Sequence, residues 1–229
     1  MKKFLTSAAS ASLLLVAAPA SANDLGFGFS WSANVAVTSD YIFRGFSETG
    51  GRPALQGGFD VEHESGFYIG NWNSSVNFGD EDPAYVEMDI YGGFAFDPMP
   101  GLTVDIGALR YYFPNARSDE FNEYYIGVAS EYNDLSGDLY VFYSDDYLSS
   151  DESSVIVELN LAYALPRDTY VMGQLGYADS DAFEPEDDSY VYYGLGAGVE
   201  FAGLDFSMMW ADQDLDSRSR WAFMVATEF

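Results

Sequence analysis

Few side chains in this sequence are equipped for covalent or acid–base chemistry. There is one histidine, His63, and there is no cysteine. A serine hydrolase needs a histidine base next to its serine. His63 instead falls near the end of a short segment, where a rim position fits better than a catalytic one. A single histidine without any thiol excludes zinc sites built from nitrogen and sulfur ligands. Asp179, Asp181, Glu184, Glu186, Asp187 and Asp188 offer oxygen atoms of the kind calcium takes, but their spacing matches no calcium loop and a solvated acidic loop is the better reading. No catalytic residue, metal site or cofactor is expected.

The informative acids lie inside apolar segments. Asp60, Glu62, Glu87, Asp89, Asp105, Glu123, Glu131 and Glu158, with Gln56, alternate with apolar residues, so they share one face of each extended segment. Small residues occupy much of that face: Gly58, Gly107, Gly127, Gly194, Gly196, Gly198, Ala222 and Ala226. A ring of carboxylates around a polar lumen selects cations over anions. Arg44 and Arg220 are placed near the outer ends of the first and last strands, where they are expected to bridge lumenal acids. Two interiors fit this pattern. One is an open acidic pore. The other is a packed interior whose acids pair with those arginines and with tyrosine hydroxyls.

These positions need a scaffold of alternating strands. Trp31, Ala33, Val35 and Val37 alternate with Ser30, Ser32, Asn34 and Thr38. Val155, Val157, Leu159 and Leu161 oppose Glu158 and Asn160. Similar stretches recur near 55–61, 67–78, 86–94, 102–107, 123–128, 138–144, 169–177, 191–199, 204–210 and 221–229. This predicts an all-β fold, a transmembrane antiparallel up-and-down barrel of about twelve strands. Each stretch is about 9 to 11 residues, enough to cross the hydrocarbon when tilted. A closed barrel is required because an open sheet would leave backbone groups unpaired in lipid.

Connections alternate between short and long. Ser65-Gly66, Asp97 to Gly101, Asn133 to Gly137, Leu165 to Asp168 and Ala202-Gly203 are short. Arg44 to Pro53, Gly79 to Pro83, Phe113 to Glu120, Asp145 to Glu152, Ala178 to Asp188 and Ala211 to Ser219 are longer. Short periplasmic turns opposite longer outer loops are the outer-membrane pattern, and an even strand number puts both ends in the periplasm. The last strand, with Trp221, Phe223, Val225 and the terminal Phe229 on one face, resembles the signal read by the barrel assembly machinery.

The N-terminus is read as a leader. Lys2 and Lys3 precede the apolar stretch Phe4 to Ala18, which is shorter than the ~20 residues of a spanning helix. Ala20-Ser21-Ala22 then offers a small-x-small cleavage pattern, giving a signal peptide over 1–22 and a mature barrel domain over 23–229. The formal net charge is −28, and every basic residue beyond the leader is arginine. Such a surface repels phosphates, so nucleic acid is not a partner. Outer-membrane lipid, the assembly machinery, and small hydrophilic solutes or cations are the partners expected.

The block Ser39-Asp40-Tyr41-Ile42-Phe43-Arg44-Gly45-Phe46-Ser47 precedes Pro53-Ala54-Leu55-Gln56-Gly57-Gly58-Phe59-Asp60 and His63-Glu64-Ser65-Gly66-Phe67-Tyr68-Ile69-Gly70. With Glu123-Tyr124-Tyr125-Ile126-Gly127 and Tyr143-Ser144-Asp145-Asp146-Tyr147, it resembles the TorF-type porins, a proteobacterial family of unknown function also designated Gcw_chp. The resemblance implies an outer-membrane barrel with a porin role and supplies neither a solute nor catalytic residues. Within the first block, Arg44 is expected to pair with an acid such as Asp40 or Glu48. A passive channel with an acidic lumen is the leading expectation, and a non-conducting structural or adhesive barrel is the alternative.

Overall fold

A computed structural model of the chain describes residues 23–79, 84–114, 120–183, 188–215 and 218–229. The expected leader lies outside the described residues, as do Glu184, Glu186 and Asp187 of the acidic loop.

Twelve antiparallel strands form one closed ring, as the alternation predicts. In chain order, β1 is Asn23–Gly26, β2 Phe29–Thr38, β3 Ile42–Phe43, β4 Phe46–Ser47, β5 Ala54–His63, β6 Phe67–Ser75, β7 Val86–Met99 and β8 Leu102–Tyr112. Then come β9 Phe121–Tyr132, β10 Leu135–Ser144, β11 Ser154–Leu165, β12 Thr169–Ser180, β13 Ser189–Phe201, β14 Leu204–Gln213 and β15 Arg220–Glu228. Every wall strand pairs with its sequence neighbour, and the ring closes where β15 meets β2 in the register Val225↔Val37 and Glu228↔Asn34. Phe229 extends that seam, exchanging amide–carbonyl bonds of 2.8 and 3.2 Å with Ala33. The terminal phenylalanine therefore closes the ring with its backbone while its ring points outward.

Side-chain alternation decides which face is which. Outward positions are apolar and exposed, including Leu55, Ile69, Ile90, Ile126, Leu195 and Phe223. In a barrel of this class that band meets lipid, so exposure here is burial in hydrocarbon. The alternate positions point inward. Trp221, Phe223, Val225 and Phe229, the residues of the last strand read as one face, all lie on the outward face.

The interior is narrow, and glycine makes room within it. A Cβ on Gly107 would strike the Tyr125 ring, one on Gly127 the Tyr140 ring, and one on Gly176 the Tyr192 ring. Of the lumenal glycines read in the sequence, Gly107, Gly127 and Gly198 are seats for tyrosine rings of a neighbouring strand, whereas Gly194 and Gly196 seat Met209 and Met172.

Three short strands depart from the expected count. β1 folds back on the start of β2, with Asn23 opposite Trp31, and continues the edge that β15 leaves open below Phe229. β3 and β4 form a hairpin, with Phe43 opposite Phe46, that runs into the stretch from Arg44 to Pro53 read as the first outer loop. That expectation is corrected. The start of the stretch folds into the lumen with the residues before it: Tyr41, Ile42 and Arg44 are buried, at 1%, 2% and 3% exposure.

Candidate functional site

The inward hairpin turns on two residues. Arg44 has φ 47° and Gly45 has φ 88°, the left-handed pair that a two-residue hairpin requires. Glycine takes that conformation freely; arginine does so at a cost that the surroundings must repay. A Cβ at Gly45 would also strike Gln213, so the tip fits only with glycine at that point.

The repayment comes from the opposite wall. Arg44 donates through Nη1 to Glu123 Oε1 at 2.6 Å and through Nη2 to Oε2 at 2.9 Å, a two-pronged ion pair in which both partners are buried. The guanidinium also lies over the Phe43 and Phe142 rings, 4.6 and 5.1 Å from their centres. Asp40 is not its partner, contrary to the expected local pairing. Asp40 accepts from Ser47 Oγ at 2.5 Å and Thr49 Oγ1 at 2.8 Å, tying the base of the hairpin together. The Glu48 amide donates to the Tyr41 carbonyl, and the Glu48 carbonyl accepts from the Asn77 amide. Arg220 donates to the Gly45 carbonyl at 2.8 Å, holding the tip from the last strand.

Around this hairpin the lumenal acids accept hydroxyls from tyrosines. Tyr41 donates to Glu87 at 3.3 Å and Tyr111 to Glu123 at 3.0 Å. Tyr91 serves Asp60 at 2.5 Å, and Tyr192 serves Glu158 at 2.6 Å. Asp105 takes two, from Tyr68 at 2.7 Å and Tyr140 at 3.0 Å. A buried carboxylate needs such donors or a cation to offset its lost hydration. Glu228, with an Oε2 buried and unpartnered among the described residues, is one exception, and Asp89 is another. Among the described residues its Oδ1 is buried with no hydrogen-bond partner. It sits opposite Tyr111 in the β7–β8 register, and Tyr111 binds Glu123, so Glu87, Asp89 and Glu123 share one level of the lumen with the tip of the hairpin.

The sequence placed Asp60, Glu62, Glu87, Asp89, Asp105, Glu123 and Glu158 on one face, and the structure brings them to the lumen. It does not make them equivalent. Glu87, Asp89 and Glu123 are sealed in the outer half, whereas Glu62 is half-buried near the short turns. Beside it lie other half-buried polar groups that the sequence reading left out, Glu200, Asp205 and Glu228 among them. Their inward parity was available as a signal. Also missed was a ladder on the other wall: Asn160 Nδ2 donates to Asp138 Oδ1 and to Glu158 Oε1, each at 3.0 Å, while Gln174 donates to Asn160. His63 lies at a turn on the outward side, its ring 4.5 Å from that of Phe29. Its Nδ1 accepts the Ser65 amide at 3.2 Å, so it caps the turn.

The Gcw_chp model, that of bacterial proteins of unknown function, matches residues 22–227. The chain belongs to this family. No curated protein sequence matches it. The Gcw_chp barrel is similar in fold to two solved outer-membrane proteins. The NanC porin in a rhombohedral crystal form gives a TM-score of 0.58 at 10% identity, covering 86% of this chain and 97% of that one. The KdgM porin in complex with disordered oligogalacturonate gives 0.58 at 8% identity, covering 87% and 97%. Such likeness establishes the fold, a porin-like antiparallel barrel.

Proposed function

We propose that this Gcw_chp barrel is a passive outer-membrane channel for small hydrophilic solutes or cations, closed in the conformation described here. The supporting observation is the nature of the closure. The wall strands carry an acidic lining, and the segment that fills the outer half is a separate hairpin attached to the lining through Arg44, Arg220 and the hairpin base. A lining with Asp60, Glu62, Glu87, Asp89, Asp105, Glu123 and Glu158 favours cations, because a ring of carboxylates raises the local concentration of positive charge. The oligogalacturonate in the KdgM structure is a polyanion, so that porin's ligand is a poor candidate for this lumen. The TorF-type resemblance, carried by residues 39–47 and their flanks, supports the same role. The leader over 1–22 fits delivery to the outer membrane.

A second reading, a non-conducting structural or adhesive barrel, is favoured by one observation: the tyrosine–carboxylate pairs pack the outer half tightly. Planar-bilayer conductance of the refolded mature chain under a salt gradient separates the two. Discrete openings with a cation-selective reversal potential are expected. A folded, heat-modifiable barrel that never conducts, even with the hairpin removed, would leave the structural role in front.

A further inference from the structure

We propose that the hairpin of residues 41–48 is a gate, and that Arg44 at its tip is a tethered cation occupying the carboxylate level through which permeating cations must pass. This rests on the channel reading above and adds how the channel is closed and what opens it.

Three observations converge. First, three carboxyl groups meet one guanidinium at this level. Glu87, Asp89 and Glu123 are buried together, and the hairpin contributes Arg44, which engages Glu123 with both of its terminal nitrogens. The buried Asp89 Oδ1 faces this level without a partner among the described residues. An unpartnered buried carboxylate oxygen calls for a cation or a donor. Second, the plug is a segment of different origin from the wall. It enters between β2 and β5 and forms its own two-stranded sheet. Withdrawing it breaks no barrel pairing. Third, its tip is conformationally costly, since arginine holds a left-handed φ there. The two-pronged ion pair with Glu123 helps to offset that cost.

The chemistry of opening is an exchange. When the hairpin leaves, Glu123 loses its guanidinium, and the three carboxylates become a cation-selective constriction. Cations from solution replace Arg44 there, so open probability rises with cation concentration. Because the ligand is a tethered side chain, a freely diffusing cation competes with it by mass action. Removing the positive charge at position 44 removes the competitor.

The first test compares single-channel records of wild type, Arg44→Gln, Arg44→Lys and a chain with 42–47 replaced by two glycines, each first shown to be heat-modifiable. Wild type is expected to open rarely, Arg44→Lys to stay mostly closed, and Arg44→Gln and the hairpin-less chain to open about tenfold more often or beyond. In the open variants, Glu87→Gln with Asp89→Asn should move the reversal potential toward zero. If the hairpin-less chain conducts no differently from wild type while both conduct, the gate is wrong and the channel stands. If only the hairpin-less chain conducts, and Arg44→Gln stays shut, the hairpin plugs but Arg44 is not its latch. If no variant conducts, the channel reading itself fails. A thiol readout works without conduction, because the chain has no cysteine. Ile42→Cys should react slowly with a charged thiol reagent and about tenfold faster when Arg44→Gln is added. Equal rates would overturn the latch.

Discussion

The outer and periplasmic halves of the lumen are built from the same strands but solve the problem of interior acids differently. In the outer half, Glu87, Asp89 and Glu123 are sealed beneath the hairpin with aromatic rings around them, and Tyr111 and Phe121 stack at 4.3 Å. In the periplasmic half, Glu62, Glu200, Asp205 and Glu228 are half-buried beside small or polar neighbours such as Ser30, Ser32 and Asn34. The difference follows from what fills the space. Above, a hairpin and its arginine fill the space, and Glu87 and Glu123 take protein partners while Asp89 Oδ1 has none among the described residues. Below, Asp105 and Asp138 are buried on Tyr68, Tyr140 and Asn160, while Glu62, Glu200 and Asp205 keep enough exposure for water to serve.

The comparison can be broken at its strongest point first. Glu123→Gln leaves Arg44 buried without its countercharge, and the folded barrel should lose about 3–5 kcal/mol, read by denaturant unfolding in micelles. The same exchange at Glu228, which strands no buried arginine among the described residues, should cost at most about 0.5 kcal/mol. Equal losses would erase the distinction between the halves. A smaller effect is expected at Gly176→Ala. Its new methyl meets the Tyr192 ring, which is fully buried and has no room to yield, and overpacking of that kind costs about 1–3 kcal/mol. A wild-type melting profile would mean the outer half is looser than its packing indicates. Smallest, Tyr192→Phe strips the hydroxyl from buried Glu158 and should cost about 1–2 kcal/mol, whereas Tyr170→Phe, whose partner Asp205 is half-exposed, should cost less than half of that. If the order of the two tyrosines reversed, the periplasmic half would be the drier one.

Much of the fold was legible because the strand signal is local. Trp221, Phe223 and Val225 alternate with Ala222, Met224 and Ala226 in the sequence, and they alternate between lipid and lumen in the barrel. The short turns were legible for the same reason: Ala202-Gly203 and the Asn133 turn take left-handed backbone where glycine and asparagine do so cheaply. The hairpin escaped notice although a signal was present. Tyr41-Ile42-Phe43 and Phe46 form an apolar cluster at the start of a stretch assigned from Arg44 onward to an outer loop, and apolar residues placed in water would gain nothing there. Around Arg44-Gly45 they mark a segment that must be buried somewhere. Sequence spacing suggested Asp40 or Glu48 as the partner of Arg44, because those acids are near in the chain. The observed partner, Glu123, is 79 residues away.

The sequence by itself determined a twelve-stranded outer-membrane barrel, which residues face lipid, and that the inward face is acidic, because side-chain alternation is a property of one strand and its period is two. Only the tertiary structure decided that the first long connection folds inward, that Arg44 meets Glu123, and that tyrosines from one strand satisfy the acids of another. Those facts depend on strand register and on distances across the lumen. No local pattern encodes them, since they arise when a closed ring brings distant residues to the same height around a space too narrow to leave empty.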